Sequence, residues 1–350
     1  MEKIKKILLY LPLLLLIDSC LSPIDFKVNN QGGIVIVSGK ISTLDESHVL
    51  SIGLSASSNR VPIPITNALV FLIDDQGSRL RCINLENGKY QLPEGFKAAP
   101  SISYLLEISL PDGRVYQSKP EKVPDLVGTG KTSFTVTDEE TTDIDGTVRK
   151  RNMLEIYTDV SLPKKGLFIH WSVEELFVLV PTDFPDVFNT IPPNCYVTNL
   201  VDPQRITLYN GSEVNATEIN KLYLGKREIN KAFLTRYVLT VKQSSISNLY
   251  YEYLRKVNIL VNQSGSIFDT PPASIVGNFT CITNPSEIVL GYFHVENVSF
   301  DRISIFPFDI PFYIAPNCTY DPTKPEYLYD RECLNCSSVS NSSTIPPPWL

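Results

Sequence analysis

Ser103-Tyr104-Leu105-Leu106-Glu107-Ile108-Ser109-Leu110-Pro111-Asp112-Gly113-Arg114-Val115-Tyr116-Gln117-Ser118 reads as one β-hairpin. Pro111 presets φ, Asp112 bonds its own backbone, and Gly113 takes the positive φ that closes the turn. The runs upstream have a strand texture too: Ile34-Val35-Ile36-Val37, Val49 to Leu54, Ala68 to Ile73 and Lys89 to Leu92. β-Branched and aromatic residues dominate them, and turn formers such as Asp74-Asp75-Gln76-Gly77 and Glu86-Asn87-Gly88 bound them. About six short strands within roughly ninety residues predict a β-sandwich of immunoglobulin-like type.

Downstream, Lys119 to Lys131 reads as a linker, and the acidic stretch Asp138 to Gly146 as a solvated hairpin. Asp143, Asp145 and Gly146 would suit the start of a calcium loop, but the rest of that pattern is missing. A second β-rich segment follows, with strands at Leu154 to Val160, Leu167 to Val173, Leu222 to Leu224 and Tyr237 to Lys242. One part of it is helical in spacing. Leu249, Tyr250, Tyr253, Leu254, Val257 and Leu260 share a face, and Ser247 is placed to cap it. The tyrosine stripe is expected to pack on the sheet, with a binding role as the sharper alternative.

Upstream of the first sandwich, Met1 to Lys6 is basic and Ile7 to Ile17 is apolar apart from Pro12, before Asp18-Ser19-Cys20. That run is too short to span ~30 Å of hydrocarbon and has the form of a secretory leader. A cysteine at the exit is the position that bacterial lipoproteins acylate, so Cys20 is the candidate lipidation site and the lipid the expected anchor. The chain thus divides into a leader over 1–19, a tether over 20–31, and a β-sandwich over 32–120. A linker with an acidic hairpin covers 121–151, a β-rich domain with a helix near 247–261 covers 152–316, and a Cys-containing, Pro/Ser-rich tail covers 317–350.

The formal charge of −7 disfavours nucleic acid as a partner, because neutralising a phosphate backbone needs a basic patch. Beyond Cys20, an even set of cysteines in an exported chain permits disulfides of undetermined connectivity, with Cys195, Cys318, Cys333 and Cys336 as candidates. Cys333-Leu334-Asn335-Cys336 also has the form of half a zinc site or a redox pair. Zinc wants four ligands, and His48, His170 and His294 lie singly with no metal spacing. Neither a Gly-x-Ser-x-Gly elbow nor His-Glu-x-x-His is present. Glu174-Glu175, beside Trp171, is the one carboxylate pair in an aromatic setting, yet neighbours on a strand point to opposite faces. The expectation is a non-catalytic protein without cofactor or metal. Trp171, together with Phe184 and Phe188 in the Pro-rich stretch 181–193, are the candidate ligand contacts.

Several segments, taken in order, resemble a known family. They are Cys20 with Pro23-Ile24-Asp25, Val37-Ser38-Gly39-Lys40-Ile41, Asn67-Ala68-Leu69-Val70, Gly88-Lys89-Tyr90, and Pro111-Asp112-Gly113 with Tyr116-Gln117-Ser118. Further along come Phe168-Ile169-His170-Trp171, Gly265 to Asp269 with Pro271-Pro272, Gly277-Asn278, Leu290-Gly291-Tyr292-Phe293, and Cys333 to Cys336 before a Pro-Trp ending. The chain is similar in these to a Bacteroidota outer-membrane lipoprotein family catalogued as domain of unknown function 4249. The spacing of Gly39, Asn67-Ala68 and Gly88-Lys89-Tyr90 also resembles carboxypeptidase-regulatory-like sandwiches, which are non-catalytic modules. The family resemblance implies an accessory or binding subunit beside a TonB-dependent outer-membrane transporter. A structural or adhesive envelope lipoprotein is the alternative.

Overall fold

In the computed structural model the chain is mainly β, and the structure describes residues 33–56, 61–142, 144–162, 164–182, 193–214, 216–262, 275–316 and 318–350. The hairpin expected around Gly113 is present: Ile108 pairs with Tyr116, the Leu110 N–H donates to the Arg114 carbonyl at 2.9 Å, and Gly113 sits at φ +89°. Asp112 Oδ1 accepts from the Arg114 N–H at 3.0 Å, the local bond that makes Asp a turn former. This hairpin, with Leu69–Asp74, Arg79–Arg81, Glu121–Lys122 and Phe279–Cys281, forms one sheet of a sandwich. Val70, Leu72, Leu106, Ile108 and Tyr116 turn inward from it onto Val35, Val37, Ile41, Leu50 and Ile52 of the opposing sheet.

The opposing sheet does not stop at the sandwich. Its strand Val35–Ser42 runs parallel to the first half of the long strand Val289–Ile305, from Val35 beside Val289 to Ser42 beside Glu296. The second half of that long strand pairs antiparallel with Tyr237–Ile246, from Asn297 opposite Ser245 to Ile305 opposite Tyr237. Phe168–Leu179 and Cys195–Leu200 follow outward, so a single eleven-stranded sheet underlies both halves of the chain. The first sandwich is therefore completed by residues 276–296, far beyond the boundary at 120 read from the sequence. A parallel pairing needs a long crossover connection, and here the second half of the fold is that connection.

The linker reading also changes. Lys131–Thr142 and Val148–Ser161 form a long hairpin, and Glu218–Glu228 adds a third strand. Its acidic arm is held in β form by opposite charges across the pair: Glu140 faces Lys150, Glu139 faces Arg151, and Lys150 Nζ reaches Asp138 at 2.6 Å. This smaller sheet closes a second core around Leu154, Ile156, Trp171, Val173, Phe177, Phe233 and Val241.

The tyrosine helix spans Asn248–Asn262, and Ser247 caps it as expected, its Oγ accepting from the Tyr250 N–H at 3.1 Å. Cys195 is bonded to Cys336, and Cys318 to Cys333, so the tail is stapled to the second half of the fold. Cys333 and Cys336 thus serve two different bridges, which leaves neither for a redox pair or a zinc site. Cys82 and Cys281 are buried thiols, and burial pushes Cys82 up to about 12. Among the described residues no helix is long and apolar enough to cross a membrane.

Candidate functional site

Alternate residues on a strand share a face, and the unbroken register of the four central strands carries that alternation across the great sheet. One face holds Trp171, Val173, Phe177, Val241 and Phe293 and points into the two cores. The other is polar. It carries Lys40, His294, Glu296, Phe300, Arg302, Lys242, Thr240, His170 and Glu174. The tyrosine helix covers one end of this outer face: Tyr250 stacks on His294 at 3.7 Å between ring centroids, and Tyr253 and Tyr250 lie against Tyr292. The tail covers the other end, where the Arg302 guanidinium sits 3.5 Å from the centre of the Trp349 ring. Between the two covers opens a crevice of about 550 Å³ lined by Asp45, Glu174, Lys242, Phe300, Arg302 and Trp349 among others.

Charges on this face are paired in a chain. Lys242 Nζ lies 2.7 Å from Glu174 and 3.5 Å from Glu46, Glu46 is 3.6 Å from Lys40, and Lys40 is 3.0 Å from the buried Glu296. Burial alone would raise the Glu296 carboxyl, but the Lys40 ammonium outweighs it and holds it below the usual carboxylate range. His294 has no such compensation: burial drives it down to about 3 despite Glu296 at 3.8 Å, so its ring is neutral at ordinary pH. Arg302 differs from the lysines. Its Nε donates to Thr240 Oγ1 at 3.0 Å, and burial pulls it below the usual guanidinium value because the pull of Glu174 is too weak to offset it.

Of the residues singled out in the sequence, Trp171 is interior. It is 2 % exposed, and its Nε1 donates to Gln243 Oε1 at 2.8 Å, so the indole is a core residue with its polar edge satisfied. Phe184, Phe188 and Cys20 lie outside the described residues. Glu174 and Glu175 do point to opposite faces: Glu174 meets Lys242 in the crevice, whereas buried Glu175 accepts from Arg227 Nε at 2.7 Å and the Tyr237 hydroxyl at 2.5 Å. Asp330, Glu332 and Cys333 bring three potential metal-ligand atoms together, but the Cys333 sulfur is already in a disulfide. Sequence reasoning missed Phe300, Arg302 and Lys242. Their signal was present as an i, i+2 aromatic–cation pair on a strand, but nothing in the sequence says which face of that strand stays open.

Residues 22–302 match the family described as a domain of unknown function, DUF4249. The chain belongs to that family. No curated protein matches the sequence. Among solved structures, the native conformation of E. coli alpha-2-macroglobulin is similar at 11% identity over 62% of this chain and 13% of that one, with a TM-score of 0.20. The chain thus spans 13% of that protein's length, and the likeness carries no argument.

The segments that carried the DUF4249 resemblance meet one another in this fold. The Tyr90 hydroxyl accepts from the Ala68 N–H at 3.0 Å and donates to the Ile65 carbonyl at 2.8 Å, joining two of them across the sandwich. Gly277 lies so close to Gly291 that a Cβ on it would fall 1.4 Å from the Gly291 oxygen. These motifs build the scaffold; of the segments that carried the resemblance, the Pro-Trp ending lines the crevice, through Pro347 and Trp349.

Proposed function

We propose that this protein is a non-catalytic binding subunit, anchored in the outer membrane by lipid on Cys20 and acting beside a TonB-dependent transporter. The crevice carries the binding part of the reading. It is a cavity of small-ligand size walled by aromatic rings and fixed charges, on a rigid frame of strands and disulfides. Its carboxylates and lysines are tied to one another in ion pairs, and its histidine neighbour is uncharged, an arrangement suited to holding a shape more than to moving protons. Export is supported by the two disulfides, which persist in oxidising compartments. The leader and Cys20 support the lipid anchor, and the transporter partner rests on the family resemblance.

Pull-down of the native protein from detergent-solubilised envelopes tests the partner, with a TonB-dependent transporter as the expected co-purifying species. Its consistent absence, together with a deletion strain that loses surface attachment but keeps uptake, would favour the structural or adhesive role instead. Mass spectrometry of the same preparation tests the anchor: a thioether-linked diacylglycerol is expected on Cys20, and an unmodified or removed Cys20 would refute it.

A further inference from the structure

We infer that the crevice is a carboxylate-binding site in which Arg302 takes the anionic group and the rings of Trp349 and Phe300 take a flat or CH-rich face beside it. The two lysines of the outer face each have a carboxylate close by: Lys40 has Glu296 at 3.0 Å and Lys242 has Glu174 at 2.7 Å. Arg302 has none within ion-pair distance among the described residues. Glu174, the acid that acts on it, is already engaged by Lys242. Among the described residues only Nε of its guanidinium is used, toward Thr240, which leaves the terminal nitrogens as an unfilled fork of donors. A guanidinium fork matches a carboxylate in shape and charge, and a partly desolvated cation without a counter-ion is most stabilised by receiving one.

The rings fix where that fork lies. The guanidinium carbon is 3.5 Å from the Trp349 centroid and 5.1 Å from that of Phe300, so its plane is held by aromatic faces. Trp349 is itself anchored, because the neighbouring Arg236 donates from Nη1 to the Leu350 oxygen at 2.9 Å and from Nε to Ser304 at 3.0 Å. Trp349 and Phe300 remain 39 % and 41 % exposed, enough ring surface for a ligand to lie against. The carboxylates at the rim face lysines and not Arg302: Asp45 meets Lys97, and Glu46 and Glu174 share Lys242. About 550 Å³ admits a small ligand. Carboxylate beside a ring occurs in uronate sugars and in acylated amino acids, and the assay separates the two.

This inference rests on reading the crevice as a binding site and is independent of the transporter partner. Titration calorimetry of the mature chain with sodium glucuronate and with N-acetylphenylalanine is set against glucose and N-acetylphenylalanine amide. At least one carboxylate is expected to bind saturably and about tenfold more tightly than its neutral analogue, and the one that does identifies the source. Arg302→Gln, with an unchanged melting temperature, is expected to abolish that difference, and Arg302→Lys to restore part of it. Ligand-induced change in tryptophan fluorescence is expected to vanish in Trp349→Phe, since Trp171 is buried. Equal binding of charged and neutral members, an unaltered preference in Arg302→Gln, or no saturable heat up to about 10 mM ligand overturns the inference. If Arg302→Gln does not fold, the charged-against-neutral comparison on the unmodified protein decides alone. A failed pull-down with a positive titration removes only the transporter.

Discussion

The side chain of Asn278 pairs with the backbone of Phe293 in both directions: its Nδ2 donates to the Phe293 carbonyl at 2.7 Å, and its Oδ1 accepts from the Phe293 N–H at 3.0 Å. The amide thus continues the sheet for one residue on the side of Phe293 away from its partner Gly39, where among the described residues no further strand pairs with it. Both residues are buried, so no solvent substitutes for the bond.

Asn278→Ala is accordingly expected to strand a buried donor and a buried acceptor, at a cost of about 2–4 kcal/mol. Urea unfolding monitored by circular dichroism measures it, and a loss below about 0.5 kcal/mol would show that the pair is replaceable.

Gly291 stands at φ +91°, and a Cβ there would lie 1.9 Å from the Val37 carbonyl oxygen, a backbone atom of the parallel partner strand that cannot step aside. Gly113, at φ +89°, has nothing within 4 Å of the same position. Gly113→Ala is expected to cost on the order of 1 kcal/mol, from conformational strain alone, and Gly291→Ala to prevent accumulation of folded protein. Similar soluble yields and melting temperatures for the two variants would contradict the tight approach of these strands.

The two bridges close loops of very different length. Cys195–Cys336 spans 141 residues and Cys318–Cys333 spans 15. Chain entropy assigns about 5 kcal/mol to the first and about 3 kcal/mol to the second. Cys195→Ala/Cys336→Ala should therefore lower the unfolding free energy more than Cys318→Ala/Cys333→Ala does. Peptide mapping without reductant checks the connectivity itself, and a 333–336 bridge would disprove it.

Acid should weaken the protein before its carboxylates protonate. His294 is neutral in the fold, its value depressed to about 3, whereas in the unfolded chain it titrates near 6.5. The unfolded state therefore binds more protons below pH 6.5, and the contribution of the buried ring is present above that pH and lost as pH falls toward 3. His170 and His48 shift in the same direction, both through burial. Glu296 and Lys40 face the His294 ring, and Tyr250 stacks on it. For His294 alone the expected loss from pH 6.5 to pH 5 is about 2 kcal/mol. Urea midpoints at the two pH values test it, and His294→Gln should flatten the dependence. An unchanged slope in that variant would assign the effect elsewhere.

Local chemistry made much of this fold readable. The Pro111-Asp112-Gly113 turn, the Ser247 cap and the spacing of Leu249 to Leu260 act within a few residues, and each produced the element it predicts. The cross-chain pairing of Val35–Ser42 with Val289–Ile305 was not readable, because parallel partners some 250 residues apart leave no local trace. The candidate site was hidden for the same reason. Asp45, Glu174, Lys242, Arg302 and Trp349 come from five separate stretches and share a wall only after the sheet has been assembled. Trp171 shows the converse error: an indole beside two carboxylates looks like a platform until alternation sends it inward to Gln243.

The parallel seam also bears on the order in which the molecule can be finished. A chain emerging from its N-terminus presents Val35–Ser42 early, but that strand has a free edge until Val289 to Glu296 arrives to cover it. The leading half must therefore wait, incomplete, while most of the polypeptide passes by, which exposes it to capture by strand-seeking partners. A fragment ending at residue 123 is expected to remain unfolded, and to be rescued by a separate peptide covering 275–299, as complementation monitored by circular dichroism would reveal.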